Sequence, residues 1–158
     1  MTATAQDQRQ LAIQRIYLKD VSFEIPNAPE TFRSEWQPEN SMNINTAVNN
    51  LDAADTFEVV LNLTLTSKSK EHTLYIAEIK QAGIFTIKGF TEQERSHLLG
   101  AYCPNTLFAY AREAISTLVA KGSFPQIILQ PINFDALFVQ QQQKASKQAP
   151  NEEKRTLN

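Results

Sequence analysis

Between Thr56 and Ile87 the chain alternates apolar and polar residues in two long runs separated by one polar turn. In TFEVVLNLTLT, residues Phe57, Val59, Leu61, Leu63 and Leu65 fall on one side. A period of two marks a strand with one buried face. SKSKEH then reads as a turn, and a second strand is expected from about Thr73 to Ile87. There Tyr75, Ala77 and Ile79 share one side, and Leu74, Ile76, Glu78 and Lys80 the other. Strands joined so closely pair antiparallel, because a parallel return needs a crossover of a dozen residues or more. Gly83 is expected to mark a bulge in the second of them.

Two further strands are expected upstream. In YLKDVSFEI, strict alternation puts Tyr17, Lys19, Val21, Phe23 and Ile25 on one face and Leu18, Asp20, Ser22 and Glu24 on the other. PNAPETFRSEWQPEN follows as a turn-rich crossover broken by Pro26, Pro29 and Pro38. Met42, Ile44, Thr46 and Val48 then alternate with Asn43, Asn45 and Asn49. Downstream the period changes. Leu107, Tyr110, Ala111, Ala114, Ile115, Leu118 and Val119 recur at helical spacing. Pro104 suits a first helical position with Cys103 as cap, Gly122 suits a left-handed stop, and Pro125 lies beyond. Such a helix has about 18 residues and runs roughly 27 Å. The fold class expected is α+β: a four-stranded antiparallel sheet followed by a long helix and shorter helices. Residues 11–139 form one domain, with a disordered N-terminal segment at 1–10. The tail at 140–158, QQQQKASKQAPNEEKRTLN, has too little apolar surface to offset the entropy of ordering.

Composition narrows the function. A net charge of −2 gives no field to hold nucleic acid. The polar start MTATAQDQRQ lacks the core of a signal peptide, and no apolar run approaches the roughly 20 residues of a membrane span. With a single cysteine there is no internal disulfide, and the chain reads as cytoplasmic. The glycines are isolated, so no phosphate loop is present, and His72, His97 and Cys103 are too scattered for a zinc site. No metal and no cofactor are expected. A helix N-terminus favours a thiolate at Cys103, but a nucleophile needs a base. His97, six residues earlier, is at no recognised catalytic spacing, and a packing role suits a buried cysteine.

Apolar and small residues in unusual places remain. Phe32 and Trp36 sit in the proline-flanked crossover, and Phe134, Leu137 and Phe138 precede the tail. Such residues either cover the edges of the core or bind a partner. Ala109, Ser116 and Ala120 make a small reverse face on the long helix. That pattern suits tolerated surface residues as well as a subunit interface.

QRIYLKDVSFEIPNAPE, the tryptophan in EWQP, QAGIFTI and above all LLGAYCPNTLFAYAREAISTLVAKGSFPQIILQPINFDALF resemble the SecB family of protein-export chaperones over about Gln14–Phe138. The resemblance implies a homotetramer, a dimer of dimers with paired eight-stranded sheets. It implies a chaperone without enzymatic activity, which uses no ATP, holds unfolded preproteins in apolar grooves and delivers them to the SecA motor. On that resemblance, client-binding residues are Phe32, Trp36, Met42, Ile44, Phe134 and Leu137. SecA-docking residues are Asp20, Glu24, Ile76 and Glu78, with Lys80 a basic departure on the same face. Ala109, Ser116 and Ala120 become the oligomer interface. Alternatives are a SecB-like chaperone dedicated to an antitoxin and, from another class, a small-molecule enzyme using Cys103.

Overall fold

The computed structural model describes residues 8–51 and 53–152. Four strands come first: β1 (Gln10–Glu24), β2 (Pro38–Asn50), β3 (Thr56–Ser69) and β4 (His72–Lys88). A single 3-10 turn, Glu30–Arg33, interrupts the crossover between β1 and β2. Helices follow: α1 (Glu92–His97), α2 (Cys103–Lys121) and α3 (Phe134–Glu152). The sheet order is β1-β4-β3-β2, every pair antiparallel, so β1 and β2 are the edges. The expected α+β order is the observed one. Val59, Leu61, Leu63 and Leu65 of β3 and Ala77, Ile79, Phe85 and Ile87 of β4 are buried with Leu107, Ala111, Ile115 and Val119 of α2.

Strict alternation fails in β1, for a reason written in its sequence. The inward residues are Leu11 and Ile13, Ile16 and Leu18, Val21 and Phe23, three pairs separated by the polar couples Gln14-Arg15 and Lys19-Asp20. A regular strand would turn every second pair outward. The ladder instead skips one residue at each couple: Ile13 opposes Phe85 and Arg15 opposes Ile84, while Leu18 opposes Gln81 and Asp20 opposes Lys80. Each shift is a bulge that restores the inward face. Tyr17, expected to share a face with Val21 and Phe23, therefore lies on the opposite, outer face across from Ala82, and Leu18 lies inward with them. These two bulges belong to β1. β4 has its own irregularity at Leu74, skipped between Thr73 and Tyr75 opposite Lys68 and Ser67, and Gly83 pairs regularly with Ile16 and Val59. A Cβ at Gly83 would stand 2.8 Å from the Phe85 ring, so close packing explains the glycine.

Other expectations about the helices are corrected too. The helical path does not start at Cys103. Thr91 and Glu94 form a capping box that opens α1. The chain then passes through a π turn, Leu98–Tyr102, straight into α2. Pro104 has no N–H to donate and crowds the carbonyl four residues back. The wider turn accommodates both, with the Cys103 N–H bonded to the Leu98 carbonyl. At the other end of α2 the left-handed residue is Ser123 (φ 65°), while Gly122 has φ −77°. Gly122 is needed for space: a Cβ there would lie 2.6 Å from the Phe23 ring. Where disorder is expected from Gln140, the backbone is helical to Glu152. Glutamine, lysine and alanine are good helix formers, and Gln140–Gln148 stay exposed, so this distal part of the helix owes little to burial. The expected segment 1–10 lies mostly outside the described residues, as does 153–158.

Polar side chains tie the outer face together across the sheet. Glu58 on β3 accepts hydrogen bonds from Tyr17 and Lys19 of β1 and from Asn49 of β2. The Lys19 Nζ reaches its two oxygens at 2.9 and 3.1 Å, and the Asn49 Nδ2 reaches Oε1 at 3.0 Å. This crossing of an intervening strand requires a small residue there, and Ala82 of β4 is fully buried opposite Tyr17 and Val60. On the inner side buried Gln81 donates to the Tyr17 carbonyl at 3.0 Å, beside the bulge. The donors hold the Glu58 carboxyl below its ordinary value, Tyr17 first and then Lys19, against the opposing effect of burial. Burial, followed by the Glu58 hydrogen bond and charge, pushes Tyr17 up to about 12.

The sign of the pH dependence follows. A depressed carboxyl stabilises the fold above its unfolded value of 4.5 and loses that contribution as pH falls through its native value. Glu58→Gln should cost about 1–3 kcal/mol at neutral pH. Its denaturation midpoint should converge with that of the parent in acid. A gap as wide at pH 3 as at pH 7 in chemical denaturation, on the order of that cost, would remove the ionic contribution.

Candidate partner-binding surfaces

An aromatic cluster closes one end of the inner layer. Phe23 stacks on Tyr75 at 5.7 Å, Tyr75 meets Phe124 at 4.7 Å, and Phe124 meets Trp36 at 5.1 Å and Phe32 at 5.4 Å. The crossover loop is thus seated on the segment that leaves α2. Trp36 is half-buried, and its Nε1 donates to the Thr31 carbonyl at 2.6 Å. Phe32 remains 43% exposed. Beside the loop lies a cavity of about 470 Å3 lined by residues including Thr31, Trp36, His72 and Leu74. Phe124, held between Gly122 and Pro125, is the base that pattern reading missed. An aromatic flanked by helix-stop residues was its one sequence cue.

Met42 and Ile44 lie on the same side of the sheet, opposite Leu65 and Leu63. Because α2 lies across β4 and β3, this face of β2 is less covered, and Met42 and Val48 are exposed. Phe134 is placed differently from the loop aromatics. It is buried, edge to face with Phe108 at 5.7 Å, while Leu137 is half-buried on the core. Phe138 fits where Gly100 has no Cβ, and His97 meets its ring edge and bonds Asp135 at 2.7 Å. These contacts fasten α3 to the α1–α2 junction.

The outer face brings Asp20, Glu24, Ile76 and Glu78 together. Glu24 opposes Ile76, Ser22 opposes Glu78, and Asp20 opposes Lys80 on neighbouring strands. The three carboxylates are exposed and Ile76 is half-buried. The grouping of these side chains on one face is unaffected by the bulge because Asp20–Glu24 lies wholly on one side of it.

On α2, Ala109 and Ala120 are exposed, and half-buried Ser116 accepts a hydrogen bond from Gln126 at 3.0 Å. Tyr110 beside them is 51% exposed. Cys103 points the other way, into the core, and burial pushes its thiol up to about 12. That is the reverse of activation. Among the described residues no three His, Cys, Asp or Glu side chains converge as metal ligands, and no helix is long and apolar enough to cross a membrane.

The family model described as preprotein translocase subunit SecB matches residues 4–145. The protein-export protein SecB of Alcanivorax borkumensis is 54% identical over 153 residues, covering 94% of this chain and 98% of the relative. That of Methylococcus capsulatus is 56% identical over 144 residues, covering 91% and 92%. Among solved structures, a SecB-like chaperone of Mycobacterium tuberculosis, in complex with a ChAD peptide from the HigA1 antitoxin, superposes with a TM-score of 0.64. It covers 77% of this chain and 90% of its own, and at 19% identity the likeness is one of fold. With the family model spanning most of the chain and relatives above half identity along nearly its whole length, this chain belongs to the SecB family.

Proposed function

We propose that this chain is an ATP-independent export chaperone that holds unfolded preproteins on apolar grooves and hands them to the SecA motor. The observation that carries the reading is the separation of two unlike surfaces in a member of the SecB family. An aromatic and aliphatic surface, with Phe32, Trp36, Met42 and Ile44, lies on the inner side of the sheet. The acidic patch of Asp20, Glu24 and Glu78 around Ile76 lies on the outer side. One molecule can then grip a client and a motor at once without the two competing for the same residues. Weak contacts to many apolar segments retain an unfolded chain through avidity, and a client that folds hides those segments. Phe134 and Leu137 contribute indirectly, by fixing the helical layer beneath α3.

The oligomer is part of this proposal. Ala109, Ser116 and Ala120 offer a small, close-approach face for a second copy, and a homotetramer multiplies the client surface. The high identity to export proteins supports this reading over a chaperone dedicated to an antitoxin. A cytoplasmic site of action follows from the task, since preproteins are met there before export.

Three outcomes are expected. Phe32→Ala should shorten the retention of an unfolded client in a refolding-delay assay, with a thermal midpoint close to that of the parent. Normal retention would take Phe32 out of the groove. Asp20→Lys and Glu78→Lys should slow SecA association and flatten its salt dependence while client binding persists. Equal SecA affinity in calorimetry would leave the patch an ordinary solvated face. Ala120→Trp should overpack the subunit contact by about 1–3 kcal/mol and lower the mass seen by light scattering. An unchanged mass would place the interface elsewhere.

A further inference from the structure

The second bulge of β1 contains a choice that the backbone does not make. Leu18 opposes Gln81 and Val21 opposes Ile79, which leaves one outward place, opposite Lys80, for two polar residues. Asp20 occupies it and Lys19 is the residue skipped by the ladder. The opposite assignment would keep Leu18 and Val21 where they are. It would satisfy the hydrophobic pattern equally well.

Charge separates the two arrangements. A carboxylate directly across from Lys80 is favourable, and an ammonium in that place is unfavourable. Glu58 acts from the other side. It takes the Lys19 Nζ at 2.9 and 3.1 Å, together with the Tyr17 hydroxyl, and draws the skipped residue toward β3. The first bulge gives the contrast: Arg15 opposes uncharged Ile84, and skipped Gln14 donates to the Thr86 hydroxyl at 2.6 Å. No ion pair decides the order of the couple there.

We propose that Lys80 and Glu58 are positioning residues that select Asp20 over Lys19 for the ladder place at the bulge, and so set the sign of the docking face at that point. Lys80 looks like a flaw in an acidic patch when charges are counted. Its effect is to keep a second lysine out of the patch and an aspartate in it. The functional consequence rests on the docking reading of this face; the selection itself does not.

The test inverts both selectors. In the isotopically labelled full chain carrying Lys80→Glu and Glu58→Lys, the cross-strand proton contacts between residues 20 and 80 should disappear. Contacts between residues 19 and 80 should replace them, with those of Leu18 to Gln81 and Val21 to Ile79 unchanged. Retention of the 20–80 contacts overturns the proposal. Should the double variant not fold, Glu58→Gln alone should show both sets of contacts in exchange, and a spectrum with the parent set alone overturns it. SecA binding is measured on the same samples. A switched ladder with unaltered SecA affinity would leave the selection standing and remove the docking role.

Discussion

One helix cannot cover four strands. An α-helix with its side chains is about 10 Å across, and strands lie roughly 4.8 Å apart, so α2 spans the two central strands and little more. The rest of the architecture follows from that mismatch. Val59, Leu61 and Phe85 beneath the helix are sealed, while Ile13, Leu18 and Val21 on one edge and Met42 and Val48 on the other stay exposed. The uncovered strips are inward faces of a sheet, apolar because the pattern of the strands makes them so. A fold of this kind retains apolar surface without any local defect in packing. The crossover loop covers only one corner, and it does so with aromatic rings that meet Phe124.

Most of the central hairpin was legible in the sequence because its strands keep a period of two over residues 57–65 and 75–85 and carry the core; the shift that skips Leu74 near the turn was not. The edge strand β1 was less so. Its apolar pairs recur every five residues, and alternation counted from one end loses phase at Lys19. Asp20, Glu24, Ile76 and Glu78 could still be grouped, since each pair lies within a regular stretch. Trp36 was singled out by its loop composition, and the structure packs it half-buried on Phe124. The aromatic base at Phe124 was not, because its neighbours Tyr75 and Phe23 come from distant strands and only the tertiary fold brings them together. The π turn escaped for a different reason: Pro104 signals a helix start, and a widened turn removes the conflict that makes the signal. Gly122 was read as a left-handed stop, but its constraint is the Phe23 ring, which no local pattern reports. The length of α3 was missed since composition tests for burial, and beyond Val139 this helix continues through residues that need none.

Cross-sheet bonding at Glu58 links these themes. Four strands contribute to one small patch, Tyr17 and Lys19 from β1, Asn49 from β2, Glu58 from β3, with Ala82 of β4 making room. Long edge strands are the parts of a sheet that fray first. Here each edge is tied by a side chain to the same interior carboxylate on the outer face, while the inner faces of the edge strands are left open.

The two bulges also alter the outline of the sheet. The 15 residues of β1 share a ladder with Ile76–Lys88 of β4, which is two residues shorter. A margin longer than the strip it borders must ruffle, like the hem of a cloth cut with too much length. Bulges raise local twist, and a twisted edge is a poor template for a flat strand. A protein whose proposed work is to keep company with unfolded chains is continually offered strands looking for a border to extend. The ruffled border of β1 is a poor one to extend for a strand without matching curvature.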